Sequence, residues 1–111
     1  MKTKKFIFKV KIGNYKWSIR FLPPDSMREN EYGTCWSLKR AIDIDASLDK
    51  EEAKIILGHE LSHAFLAVAG KLHNKEFDEE EVCDFITWNI DQIISIRDHV
   101  LKERFKNGKT N

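Results

Sequence analysis

The stretch of sequence that decides the fold is DKEEAKIILGHELSHAFLAVAG, residues 49–70. Asp49, followed three residues later by Glu52, has the pattern of a capping box and predicts that a helix begins here. Gly70 stands where the residue after a helix C-terminus is commonly a glycine. We therefore predict a helix over residues 49–69.

Apolar residues occur on nearly every side of this helix. One stripe of the helical wheel holds Leu57, Leu61, Ala64, Phe65 and Val68, and the opposite side holds Ile55, Ile56 and Leu66. A helix that is apolar all round is buried between other elements. We expect a sheet to cover one side of it and the last helix of the chain to cover the other.

Two histidines and a glutamate lie inside this apolar helix, in the order His59-Glu60-x-x-His63. Residues four apart share a helix face, so both imidazoles can point at one metal ion, as two ligands of a tetrahedral zinc site must. Glu60 lies about 100° round the helix, beside that point. The pattern predicts hydrolysis of a peptide bond by a metal-activated water, with Zn²⁺ as cofactor and Glu60 as general base. The alternative is that the histidines are hydrogen-bonded core residues.

Two runs of alternating residues precede the helix and predict a β-hairpin over residues 5–22. A Gly13-Asn14 turn joins the runs. One face holds Phe6, Phe8, Val10 and Ile12 from the first run and Tyr15, Trp17, Ile19 and Phe21 from the second. Further short strands are predicted over residues 34–46, where the acidic segment RAIDIDA suits the edge of a sheet. We expect a small antiparallel sheet of three or four strands.

A second long helix is predicted over residues 78–104, because apolar residues recur there at helical spacing. They are Val82, Ile86, Ile90, Ile93, Ile96 and Val100. The expected fold class is α+β, a single domain over residues 1–111 in which the sheet packs on two long helices.

The composition argues against several classes of partner. A net charge of +1, from 19 basic and 18 acidic residues, gives no general attraction to nucleic acid or to an anionic membrane. No apolar run approaches the roughly eighteen residues of a membrane span. Cys35 and Cys83 lack C-x-x-C spacing and no export signal precedes them, so we expect reduced thiols in a cytoplasmic protein.

A catalytic zinc needs a third protein ligand and an open position. The candidates downstream of His63 are His73, Glu76, Asp78, Glu79, Glu80, Glu81, Cys83 and His99. The metzincin pattern requires a glycine three residues and a histidine six residues after the second histidine of the motif. Leu66 and Ala69 stand at those positions, so this pattern is excluded.

The segment EEVCDFIT, which begins at Glu80, resembles the glutamate helix of the gluzincins, the thermolysin-like and ImmA/IrrE-like zinc metallopeptidases. In those families a glutamate on a helix after H-E-x-x-H is the third ligand. A small residue follows it three positions on, and an aspartate or asparagine four positions on. The resemblance implies a minimal zincin fold in which Glu80 holds zinc with His59 and His63. Asp84 would then be the carboxylate that orients a metal-bound histidine.

Glu79 is the alternative third ligand. On the helical wheel it lies in line with Val82, Cys83, Ile86 and Ile90 and so points more directly toward the core. With Glu79 as ligand, Phe85 would match the phenylalanine six residues on in the ImmA/IrrE pattern. The residue four positions on would then be Cys83, a poor acceptor for a histidine N–H. We expect Glu81 to point elsewhere, into solvent.

The resemblance also implies a peptide or protein substrate held in extended form along an edge strand. Compact gluzincin domains are familiar among phage and prophage proteins, where ImmA-like members act on repressors, so a regulatory protein is one implied partner. The residue that stabilises the oxyanion stays open among Tyr32, His73 and His99. Two alternatives remain: a zinc-binding regulatory module with little turnover, and a structural zinc site closed by Cys83 or a further histidine.

Overall fold

A computed structural model of the chain describes residues 6–70 and 78–106. It contains four strands and two helices, and the predicted α+β class is confirmed. The elements are β1 (Phe6–Ile12), β2 (Tyr15–Leu22), a single 3-10 turn (Pro24–Ser26), β3 (Gly33–Trp36), β4 (Ala41–Asp45), α1 (Lys50–Val68) and α2 (Glu79–Arg104). Within the described residues, these bounds confirm the predicted hairpin, the predicted strand region and both predicted helices.

The sheet is mixed, with the strand order β1-β2-β4-β3. The pairs β1/β2 and β3/β4 are antiparallel, but β2 and β4 are parallel, so the expectation of an antiparallel sheet is wrong for the central pair. After Leu22 the chain crosses the end of β4, forms β3 and turns back into β4. The Ala46 N–H donates to the Leu22 carbonyl (2.8 Å), and the Asp45 N–H donates to the Tyr32 carbonyl (2.9 Å), so the crossing segment is held at both ends.

The acidic strand β4 is an interior strand, and the prediction that it forms an edge is wrong. All five of its residues are buried. Burial is tolerated because its carboxylates have partners. The Arg20 guanidinium donates to both Asp43 carboxylate oxygens (2.6 and 2.9 Å), and the Trp36 indole N–H donates to one of them (2.9 Å). Asp45 accepts hydrogen bonds from the backbone N–H and the hydroxyl of Ser47 (2.8 and 2.7 Å).

The core lies between one face of the sheet and the two helices. Its fully buried side chains come from every layer and include Ile12, Ile19, Phe21, Ile42, Ile44, Leu57, Leu61 and Val100. The predicted capping box begins α1: the Asp49 carboxylate accepts from the Glu52 N–H, and the Glu52 carboxylate accepts from the Asp49 N–H (2.8 and 2.9 Å). Gly70 follows α1 with a positive φ of 76°, as a glycine after a helix commonly does.

Helix α2 runs back along α1. Arg97 lies beside Gly58 in the middle of α1, and the first turns of α2 reach Ala69 at its end. The buried residues of α2 lie in its second half, where Ile93, Val100 and Leu101 join the core. In the first half Phe85 packs against the core from a half-buried position, whereas Val82, Ile86 and Ile90 are exposed. Within residues 6–70 and 78–106, no helix has the length and apolar character needed to cross a membrane.

Candidate metal site and its cleft

The two histidines of the motif converge on one point. Both project from α1, one helical turn apart, and their Nε2 atoms are 3.2 Å from each other. Two imidazoles bound about 2.0–2.1 Å from a tetrahedral zinc ion would hold their nitrogens about 3.3 Å apart. Both histidines are exposed, so an ion could reach them from solvent. The observed spacing therefore fits two of the ligands that a zinc ion requires.

The histidines open into a cleft of about 540 Å³ between α1 and β3. Its lining consists of Ile55, Ile56, His59, Glu60 and His63 from α1, and of Glu31, Tyr32, Gly33, Thr34, Cys35 and Ser37 from β3 and its flanks. Ile55 is 72% exposed, so the expectation that α1 is covered on both sides is wrong for this face. The reason is that the cleft opens there.

Glu60 is the buried acid of the site, with only 8% of its surface exposed. Burial raises the pKa of its carboxyl group, because the charged form loses hydration. The neighbouring His59 and His63 act in the opposite direction, and the negative charge of Glu31 adds to the rise. A carboxyl whose pKa is raised binds a proton more readily, which suits a general base.

Gly33 sets how closely β3 approaches α1, a feature that the sequence reading missed. A Cβ atom at this position would lie 2.5 Å from Cγ2 of Ile56 and 3.1 Å from Oε2 of Glu60. Only glycine leaves room for this packing, which holds Glu60 against the strand. The available signal was a glycine at the first position of a short strand, since strand glycines often mark a close approach.

The two cysteines lie in different surroundings. Cys35 is half-buried in the cleft, whereas Cys83 is exposed on α2. The pKa of the Cys35 thiol is raised to about 11, chiefly by burial. A hydrogen bond with the Ser37 side chain lowers this pKa, and the charge of Glu60 raises it. Cys35 is therefore a neutral and weakly nucleophilic thiol at neutral pH.

The glutamates proposed as third ligand lie apart from the histidine pair. Glu79 and Glu80 are exposed in the first turn of α2, and Asp84 is exposed beside the end of α1. Among the residues that the structure describes, no three His, Cys, Asp or Glu side chains form a group that could hold a metal ion. His59, Glu60 and His63 line one cleft, whereas Glu79, Glu80 and Asp84 do not line it.

The helical-wheel predictions for Glu81 and Glu79 on α2 are wrong. We expected Glu81 in solvent, but it is half-buried and lines a hollow with Ala69 and Phe85. The residues in line with Glu79, namely Val82, Cys83, Ile86 and Ile90, are all exposed, so the argument that Glu79 points toward the core is wrong. The stripe that faces the end of α1 is the one that contains Glu81, Phe85 and Asn89, which are half-buried.

Of the three candidates for stabilising an oxyanion, Tyr32 lines the cleft, with 60% of its surface exposed. His99 is exposed on α2 and does not line this cleft. His73 and Glu76 lie outside the described residues. Comparison of the chain with protein-family models, with curated proteins and with solved structures finds no match.

Proposed function

We propose that the protein is a zinc-dependent peptidase in which His59 and His63 hold the metal and Glu60 is the general base. The observation that carries this proposal is the 3.2 Å approach of the two Nε2 atoms at the mouth of an open cleft. A buried glutamate with a raised pKa adjoins them. Two metal ligands and a general base are part of the set that metal-assisted hydrolysis requires, and a third protein ligand completes it.

A hydrogen-bonded histidine pair is the competing explanation of the same distance. One imidazole N–H donating to the other nitrogen would also give about 3.2 Å. Histidines kept for structural reasons are expected to be buried, however, and both of these are exposed while the acid beside them is buried. This distribution of exposed and buried residues is the opposite of what a structural histidine pair would show. It favours a site that binds a ligand from solvent.

Different groups in the cleft have different roles in the proposed hydrolysis. Zinc, when bound, supplies a Lewis acid that polarises a carbonyl group and lowers the pKa of water. The Glu60 carboxylate accepts a proton from the attacking water and donates it to the leaving amine, so the carboxylate is regenerated. Ile55 and Ile56 provide an apolar wall beside the reacting groups, and β3 offers a strand edge for an extended peptide.

The third ligand is proposed to come from the first turn of α2. Glu80 is favoured by its match to the gluzincin pattern, with Asp84 one turn later as the carboxylate that orients a histidine. Glu79 remains the alternative, and the half-buried position of Glu81 makes it a further residue to test. All three lie on the helix that packs along α1.

A zinc-binding regulatory module with little turnover is a second candidate. It is favoured by one observation, that only two potential metal ligands converge among the described residues. A structural zinc site is less favoured, since the histidines face an open cleft rather than a closed one. In either functional case we propose a peptide or protein partner, a regulatory protein being one kind, and a cytoplasmic location.

Metal content and peptide cleavage should be measured together, for the wild type and for single variants. Glu60→Gln is expected to bind zinc normally and to lose cleavage, whereas the matched control Glu51→Gln, on the exposed side of α1, should keep both. Alanine variants of Glu79, Glu80 and Glu81 rank the third ligand by their loss of zinc affinity, and Glu80→Ala is expected to lose most. A wild-type protein that binds no zinc, even when zinc is added, would exclude the proposal.

A further inference from the structure

The strand β3 offers a free edge next to the cleft. In an antiparallel pair, successive residues alternate between those whose backbone groups bond the neighbouring strand and those whose groups point away. The Tyr32 carbonyl accepts from the Asp45 N–H, so the backbone groups of Gly33 and Cys35 point away from β4. The described part of the sheet ends at β3 on that side. An extended peptide that pairs with β3 would therefore bond Gly33 and Cys35.

A peptide strand in this position would present its side chains to two different surfaces, because successive side chains of a strand alternate between faces. Side chains next to Gly33 and Cys35 would enter the cleft, which both residues line. A side chain next to Trp36 would lie on the other face of the sheet, where the Trp36 indole N–H donates to Asp43. The surroundings of Trp36 therefore decide which residue is accepted there.

Two cations lie over the ring of Trp36. The guanidinium carbon of Arg28 is 5.7 Å from the ring centroid, and the Lys39 Nζ atom is 5.0 Å from it. Both residues are exposed, so their charges can be reached by a side chain arriving from solvent. The cation–π contacts keep the two charges on one patch of the strand edge.

The acids on this face are already engaged. Asp43 is buried and paired with Arg20. Glu31 accepts a hydrogen bond from the Thr34 hydroxyl (2.6 Å), two residues along the strand from Trp36, and its carboxylate also pairs with the Arg28 guanidinium (3.8 Å). Arg20 and Arg28 are thus each paired with an acid, whereas the ion pairs found among the described residues do not include Lys39. Lys39 therefore provides the net positive charge around Trp36, and Glu31 makes the Thr34 position unfavourable for an acid.

We propose that the cleft selects extended peptide segments with an acidic side chain at the position opposite Trp36. The inference rests on the proposed function, because it assigns a substrate class to the same cleft. An aspartate or glutamate there is attracted chiefly by Lys39, while its neighbours in the peptide enter the cleft beside His59 and Glu60. A lysine at that position meets two like charges.

The test measures binding rather than cleavage, with metal-free Glu60→Gln protein and short labelled peptides of alternating Thr and Val. One internal residue is Glu, Gln or Lys, and fluorescence anisotropy reports the affinity. The Glu peptide is expected to bind about two- to fivefold more tightly than the other two, as one exposed ion pair would give. The preference should decrease at high salt, because exposed charges are screened. Equal affinities for all three peptides would overturn the proposal.

Two double variants locate the effect. Arg28→Gln/Lys39→Gln should abolish the preference for the Glu peptide. The control Lys9→Gln/Lys11→Gln, which removes two exposed charges from the opposite edge strand β1, should retain this preference. The reverse result would overturn the proposal. The outcome also separates this inference from the peptidase assignment. A zinc-loaded wild type that cleaves Glu, Gln and Lys peptides equally would contradict only the acidic selectivity. A metal-free preference for Glu in a protein that never binds zinc would contradict only the peptidase.

Discussion

The cleft between α1 and β3 and the first turn of α2 differ in how firmly the rest of the protein holds them. In the cleft, Glu60 is buried against Gly33, and the two histidines stand one helical turn apart on a well-packed helix. In the first turn of α2, Glu79 and Glu80 are exposed, and the apolar residues that follow them are exposed too. The difference predicts that the histidine half of the proposed metal site is preorganised, whereas the half proposed on α2 is not.

The largest expected effect concerns the preorganised half. His59→Ala or His63→Ala should weaken zinc affinity by more than about a hundredfold, because losing a ligand exceeds the 10–100-fold cost of losing a residue that only orients one. The measurement is zinc titration against a chromophoric chelator. Ser62→Ala is the control on the same helix, since its hydroxyl donates only to the Gly58 carbonyl (2.8 Å), and it should bind zinc normally. Normal affinity in either histidine variant would contradict the comparison.

The close contact of β3 with α1 should have a measurable effect on stability. Gly33→Ala would place a methyl group within 2.5 Å of Ile56 and is expected to lower the free energy of unfolding by about 1–3 kcal/mol, as overpacking does. Gly58→Ala is the matched control, because its nearest neighbour, Cδ of Arg97, is 3.7 Å away. This change should stabilise the helix by up to about 1 kcal/mol. Urea denaturation of both variants tests the contrast, and the same sign of change in both would contradict it.

A smaller effect separates the two cysteines. With a pKa of about 11, the Cys35 thiol is almost fully protonated at pH 8, and it is half-buried as well. We expect it to react with a disulfide reagent on the order of ten times more slowly than free cysteine, allowing for the higher nucleophilicity of a basic thiolate. Cys83 is exposed and should react first.

The rate at which Cys35 is labelled should rise with pH. The thiolate fraction of Cys35 reaches one half only at about pH 11, so its labelling rate should still increase above pH 9, where a thiol with an ordinary pKa near 8.5 levels off. Cys83→Ser leaves Cys35 as the one thiol to be followed. Rapid labelling of this variant at pH 8, at the rate of free cysteine, would show that the cleft does not shield Cys35.

The features that the sequence predicted are those that depend on local spacing. The capping box of Asp49 and Glu52, the hairpin alternation and the four-residue separation of His59 and His63 are each set by neighbours in the chain. For this reason the elements and the histidine pair could be recognised from periodicity alone.

The features that were missed depend on partners distant in sequence. The acidic sequence of β4 predicts an edge strand, yet Arg20, 23 residues earlier, makes the burial of Asp43 possible. The α1-facing stripe of α2 was misread because apolar residues such as Ile86 remain exposed while Glu81 is half-buried. In both cases tertiary packing determines burial, and the hydrophobic pattern does not report it.

The most direct test of the central claim is X-ray absorption at the zinc edge of the zinc-loaded protein, with metal content measured on the same sample. We predict one zinc per chain, with two imidazole ligands and oxygen donors, and nitrogen and oxygen distances of about 2.0–2.2 Å. In His59→Ala/His63→Ala the imidazole signal should disappear together with the bound metal. A sulfur ligand at about 2.3 Å would indicate a cysteine-closed structural site instead, and a protein that binds no zinc would contradict the account.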